Sequence, residues 1–130
     1  IARNDGNVLQ TYSLKIDTAT TPVWWPRSSA GGGNNEYTLY GIFKDTQPPS
    51  GSFGTSAGND ILISTGGVTC TTANYSDGTQ PDSDGVGVSP YVINSLLSDT
   101  TIWFKFDSPP ATSTSQQQTI PVVITATESD

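Results

Sequence analysis

Few residues in this chain are equipped for chemistry, and the ones that are missing narrow its function first. Among its 130 residues there is no histidine. That removes the commonest general base, the commonest metal ligand and every His-dependent triad. Cys70 is the single cysteine, so zinc and iron–sulfur sites built on thiolate clusters are excluded and no disulfide can close within the chain. Cys70 reads as a small buried hydrophobe. Gly54-Thr55-Ser56-Ala57-Gly58 matches the G-x-S-x-G pattern of a nucleophile elbow, but that motif needs a larger α/β domain and a histidine. It reads as a small-residue loop. Gly31-Gly32-Gly33 has no following Gly-Lys-Ser/Thr and opens no helix, so a phosphate cradle is not expected there.

Carboxylates are the remaining reactive groups. Asp82 and Asp84 are close enough in sequence to be weighed as a glycosidase pair, yet both lie in one polar loop where solvated turn residues are the rule. In the same loop Asp77, Asp82 and Asp84 are candidate calcium ligands, because calcium takes carboxylate and carbonyl oxygens. Their spacing is not that of an EF-hand. No cofactor is required, and calcium is the one the sequence leaves open. Asn74-Tyr75-Ser76 is a glycosylation sequon that names Asn74 as an acceptor.

Trp24-Trp25-Pro26 is the most unusual local feature. On an extended segment, neighbouring side chains point to opposite faces. One indole can therefore lie inside and the other outside, where it can stack on a sugar ring or anchor a protein contact, although the simpler reading is that both plug the ends of the sandwich.

The elements that carry these residues are strands. Hydrophobic residues make up 33% of the chain and charged residues 13%, while Ser and Thr fill 35 positions. Thr suits a half-buried pleated surface, and the 13 Gly and 9 Pro punctuate it with turns. Val8 to Asp17 alternates, with Val8, Tyr12, Leu14 and Ile16 on one face. Glu36 to Lys44 reads as a central strand, with Tyr37, Leu39 and Phe43 on one face and Tyr40 and Ile42 on the other. Asp60 to Ser64 and Val68 to Thr72 read as a hairpin across Gly66-Gly67. Thr101 to Asp107 turns Ile102, Phe104 and Phe106 inward and Trp103 outward. Thr119 to Thr127 places Ile120, Val122, Ile124 and Ala126 on one face, and Pro121 assigns it to a sheet edge or a bulge. Pro90 to Leu97 fits either a helical turn or an irregular strand. Thr18–Gly33, Asn74–Gly87 and Ser108–Gln118 read as long polar connections.

This pattern predicts one all-β domain over residues 1–130, an antiparallel β-sandwich of Ig-like or jelly-roll-like type with about 6–8 strands and long polar loops. Only five basic residues occur, scattered against a net charge of −7. That argues against nucleic acid and against anionic membrane surfaces, and no apolar run is long enough to insert in a bilayer. A chain that begins at Ile1 and contains no methionine is expected to have been exported through a cleaved signal peptide, to an extracellular or cell-surface location.

The sequence therefore predicts a non-catalytic structural subunit of a surface filament, pilus-like or layer assembly. Its partner is itself, joined by β-strand complementation. The terminal strands 7–17 and 119–127 are the candidates for exchange, with Val8, Tyr12, Leu14, Ile16, Ile120, Val122 and Ile124 as interface residues. The alternatives are a carbohydrate-binding or adhesion module, in which Trp24, Trp25 or Tyr75 meets a surface polysaccharide, and a viral capsid or spike domain.

Overall fold

A computed structural model of the chain describes residues 2–3, 10–17, 23–44, 46–54, 60–64, 66–71, 73–75, 92–93 and 99–128. In chain order the strands are β1 (Ala2–Arg3), β2 (Gln10–Ile16), β3 (Trp25–Pro26), β4 (Glu36–Phe43), β5 (Val68–Thr69), β6 (Val92–Ile93), β7 (Asp99–Thr100), β8 (Ile102–Asp107) and β9 (Val122–Glu128). A short 3-10 turn occupies Ser50–Ser52. The fold is the predicted all-β sandwich, and five of its nine described strands are only two residues long.

The back sheet is organised by β2. It pairs antiparallel with β9 over its whole length, from Gln10↔Glu128 to Ile16↔Val122. It also pairs with β5 at Ser13↔Thr69 and Leu14↔Val68, and with β6 at Gln10↔Ile93 and Thr11↔Val92. Because β9 fills one edge of β2 from end to end, β5 and β6 share the other.

In the front sheet β4 lies between β8, paired from Thr38↔Asp107 to Phe43↔Ile102, and β3. The β3–β4 pair is parallel, at Trp25↔Glu36 and Pro26↔Tyr37, so the sheets are antiparallel except at this one point. A separate two-stranded ladder joins β1 to β7.

The alternation along β4 accounts for the packing. Tyr37, Leu39 and Phe43 meet Tyr12, Leu14, Ile16, Leu62, Cys70 and Tyr75 between the two sheets. Tyr40 and Ile42, on the opposite face, pack with Phe53 and Ile61, and Ile63 and Trp103 lean on that second cluster. A strand buried on both faces needs apolar residues at consecutive positions, and Tyr37 to Phe43 supplies them around Thr38 and Gly41. Gly41 serves a close approach: a Cβ there would lie 3.0 Å from Leu62 Cδ1 and 3.2 Å from Leu14 Cδ1.

Residues 60–75 do not form the expected hairpin; the two predicted strands part to different sheets. The first runs along β4, with Gly41 N–H donating to Asp60 O and Leu62 N–H to Leu39 O, both at 2.8 Å. The second runs along β2, where Cys70 N–H donates to Tyr12 O at 2.8 Å. Between them Ile16 N–H donates to Ile63 O at 3.0 Å. Satisfying the outer edges of both β4 and β2 stabilises this arrangement over a local hairpin, and it stitches the two sheets together along one side. The crossing ends at Tyr75, whose φ of 60° is rare for an aromatic residue. Its ring is fully buried, its hydroxyl donates to Leu14 O at 3.3 Å and its carbonyl accepts from Phe43 N–H at 3.0 Å.

Candidate functional site

The opposite side of the sandwich, bordered by β8 and β9, carries no such stitching among the described residues. In the β4–β8 ladder Ile102, Phe104 and Phe106 stand opposite Phe43, Gly41 and Leu39, and so share the inner face with the core. In the β2–β9 ladder Val122, Ile124 and Ala126 stand opposite Ile16, Leu14 and Tyr12, and share that face too. Yet Phe104 is 46%, Phe106 44% and Ile124 45% exposed. These three inward-facing apolar side chains lie along one open seam.

Among the described residues, no strand pairs with the outer edge of β8 or of β9. The odd residues of β4 bond toward β3 and residues 60–75, as Gly41 and Phe43 do, so its even residues bond to β8. Pairing in an antiparallel ladder alternates. The N–H and C=O groups of Ile102, Phe104 and Phe106 therefore point away from β4. Likewise Tyr12 and Ile16 bond toward residues 63–70, and Asp17 N–H donates to Pro121 O at 3.0 Å. The N–H and C=O groups of Val122, Ile124 and Ala126 consequently face outward from β9. Each edge thus presents its unused backbone groups at the residues whose side chains face the seam.

The predicted interface residues divide across this geometry. Tyr12, Leu14 and Ile16 are buried inside the chain's own core, in the middle of the back sheet. Ile120 and Val122 are half-buried against the same cluster, and Ile124 is the most exposed of the set. Val8, Ser56 and the three candidate calcium ligands Asp77, Asp82 and Asp84 lie outside the described residues. No group of three His, Cys, Asp or Glu residues that could hold a metal occurs among the described residues. Asn74 is half-buried in a tight turn, its N–H donating to Thr71 O at 3.2 Å.

The two neighbouring tryptophans part as the strand alternation requires. Trp24 is half-buried; its ring stacks on Phe106 with centroids 6.3 Å apart, and it tilts against Tyr37 at 6.5 Å. Its Nε1–H donates to Thr112 Oγ1 at 2.9 Å and its backbone N–H to Gln118 Oε1 at 3.3 Å. The polar connection after β8 is therefore fastened across this end of the sandwich, also through Asn35 N–H to Ala111 O at 2.9 Å. Trp25 is 62% exposed. Glu36, its partner across the parallel pair, accepts from Arg27 at 2.8 Å, so an indole and a fixed ion pair share one outer face.

Phe104 and Phe106 are inward as expected but not covered, because β8 is the last strand of its sheet. Trp103 faces outward as expected and packs on the second cluster, with its Nε1–H donating to Lys44 O at 2.8 Å. Beside it lies an open cavity of about 200 Å³ lined by Gln47, Pro48, Phe53, Phe104 and Lys105 among others. Its titratable neighbours give no catalytic pair: Lys105 Nζ sits 4.3 Å above the Tyr40 ring and 3.5 Å from Asp107. Burial, with the Asp107 carboxylate accepting the Tyr40 hydroxyl proton at 3.1 Å, pushes Tyr40 up to about 12. Burial alone pushes Tyr37 to about 12 and drives the Cys70 thiol far above its ordinary value. Groups held this firmly protonated at neutral pH make poor bases and nucleophiles.

Family models, characterised proteins and solved structures yield no match to this chain.

Proposed function

We propose that the chain is a non-catalytic structural subunit of an extracellular assembly, a surface filament or layer, in which copies join by adding a strand along the seam between β8 and β9. The observation that carries this reading is the coincidence of two kinds of unmet need. Phe104, Phe106 and Ile124 face the core and remain nearly half exposed, and the adjoining backbone groups have no strand beside them among the described residues. An exposed edge strand is a template for another chain unless it is blunted.

Strand addition answers both needs at once, with main-chain hydrogen bonds providing affinity and alternate side chains providing fit. The embedded position of β2 favours the seam over removal of residues 7–17 as the joining surface. Sedimentation and negative-stain imaging over a wide concentration range test the reading: concentration-dependent assembly is expected. A protein that stays monomeric at the highest attainable concentration overturns it.

The second reading, a carbohydrate-binding module, is favoured by the exposed Trp25 indole beside the Arg27–Glu36 pair. Aromatic stacking with a flanking donor and acceptor suits a sugar ring. Under this reading, surface polysaccharide shifts tryptophan emission and Trp25→Phe abolishes the shift. Under the structural reading, sugars leave the emission unchanged.

A further inference from the structure

Resting on that reading of the seam, we infer that the neighbour's added strand is its own β9, so that two copies join across a twofold axis at Thr125. Three features single out β9 over β8. From Val122 to Thr127 it carries no charge and no proline. Its pairing with β2 runs through seven consecutive partners without a bulge. Native edges are normally blunted by charges, prolines, bulges or covering segments, and between Val122 and Thr127 the first three are absent, the one charge of β9 being its last residue, Glu128. By contrast β8 carries Lys105 and Asp107, and the β1–β7 ladder stands at its start.

Charge restricts where a second copy can meet this chain. A chain of net charge −7 repels its own copies, so the contact belongs where no acidic group faces another. An antiparallel β9–β9 pair meets that condition in every register that does not set Glu128 opposite Glu128, and full overlap of the strand selects one of them. The outward backbone groups belong to the even residues, so even must pair with even. Full overlap of 122–128 then sets Val122 opposite Glu128 of the second copy, Ile124 opposite Ala126, and Thr125 opposite Thr125.

The two Glu128 residues then lie at opposite ends of the paired strands. About eight main-chain hydrogen bonds form. The second copy's β9 extends the back sheet on the seam side, where Phe104 and Phe106 of the front sheet are nearly half exposed. Such a contact is isologous and closes on itself, so it joins copies in pairs, and growth of the assembly beyond the pair uses a second contact.

The register supplies its own test. Thr125 is exposed, and its side chain points away from the core face. As a non-hydrogen-bonded pair, the two copies of residue 125 have Cα atoms about 4.5 Å apart, at the short end of the disulfide range of roughly 4.4–6.8 Å. Thr125→Cys is expected to give a covalent dimer on mild oxidation. Val123→Cys or Thr127→Cys alone is not expected to cross-link, whereas the two combined are, because position 123 faces 127 of the other copy. Native Cys70 is buried and does not compete.

Ala126→Pro removes an outward N–H from each copy and should weaken association by roughly tenfold or more. Should that variant not fold, Thr125→Lys places like charges directly opposite each other and is expected to dissociate the pair. Association that persists without the 125–125 cross-link overturns the twofold and leaves the seam reading standing. A wild-type protein that remains monomeric overturns both.

Discussion

Replacing Leu14 by alanine separates a β2 strand that belongs to its own core from one donated by a neighbour. Leu14 is fully buried at the middle of β2, and its Cδ1 fills the space beside Gly41 between the two sheets. Truncation removes the transfer free energy of its methyl groups and leaves a void that close neighbours fill poorly. Gly41 has no side chain to move in, and Leu62 and Tyr75 are themselves fully buried. The expected cost is therefore about 3–4 kcal/mol, within the usual range for buried leucines.

For a domain of this size such a loss lowers the melting temperature by roughly 10–20 °C. Urea unfolding followed by tryptophan emission, at protein concentrations about a hundredfold apart, measures both the cost and its dependence on association. An intrachain β2 gives the same loss at both concentrations. A cost below about 1 kcal/mol, or a loss that shrinks as concentration rises, would show that Leu14 packs into another chain and refute the placement of β2.

Two further outcomes follow from single groups. The Tyr37 hydroxyl is buried without a hydrogen-bond partner among the described residues, so Tyr37→Phe should be neutral or stabilise by up to about 1 kcal/mol, while Tyr75→Phe loses the bond to Leu14 O and costs about 1 kcal/mol; denaturation curves in the reverse order would contradict the assignment. Tyr37 and Tyr40 have folded values pushed up to about 12 from 10, so the stability linked to them is fully present below pH 10 and is lost as pH rises from 10 toward 12; phenolate absorbance showing both ionising near 10 in the folded protein would exclude the burial described.

Much of the fold is legible in the sequence because one alternation rule governs it. Tyr12, Leu14 and Ile16 alternate with polar residues and are buried; Tyr37 to Phe43 has apolar residues on both sides and is buried on both faces. Trp24 and Trp25 divide between inside and outside for the same reason. Residues 60–75 were less legible, because a Gly-Gly turn between two short apolar runs describes a hairpin equally well. What decides against the hairpin is the demand of two distant edges, β4 and β2, for hydrogen-bond partners, and that demand is not encoded near Gly66.

The seam is hidden from the sequence by the same limit. Periodicity reports which face of a strand a side chain occupies, and it places Phe104, Phe106 and Ile124 correctly on the inner face. Whether that face is covered depends on how many strands the opposing sheet extends past it, which is a property of topology. Phe43 and Phe104 look alike in a pattern of alternating residues; one is 3% and the other 46% exposed, because β4 has neighbours on both sides and β8 on one. An inward apolar residue on a terminal strand is therefore ambiguous in sequence and informative in structure. Where two such strands border the same gap, an added strand would cover the exposed side chains and the edge backbone groups together.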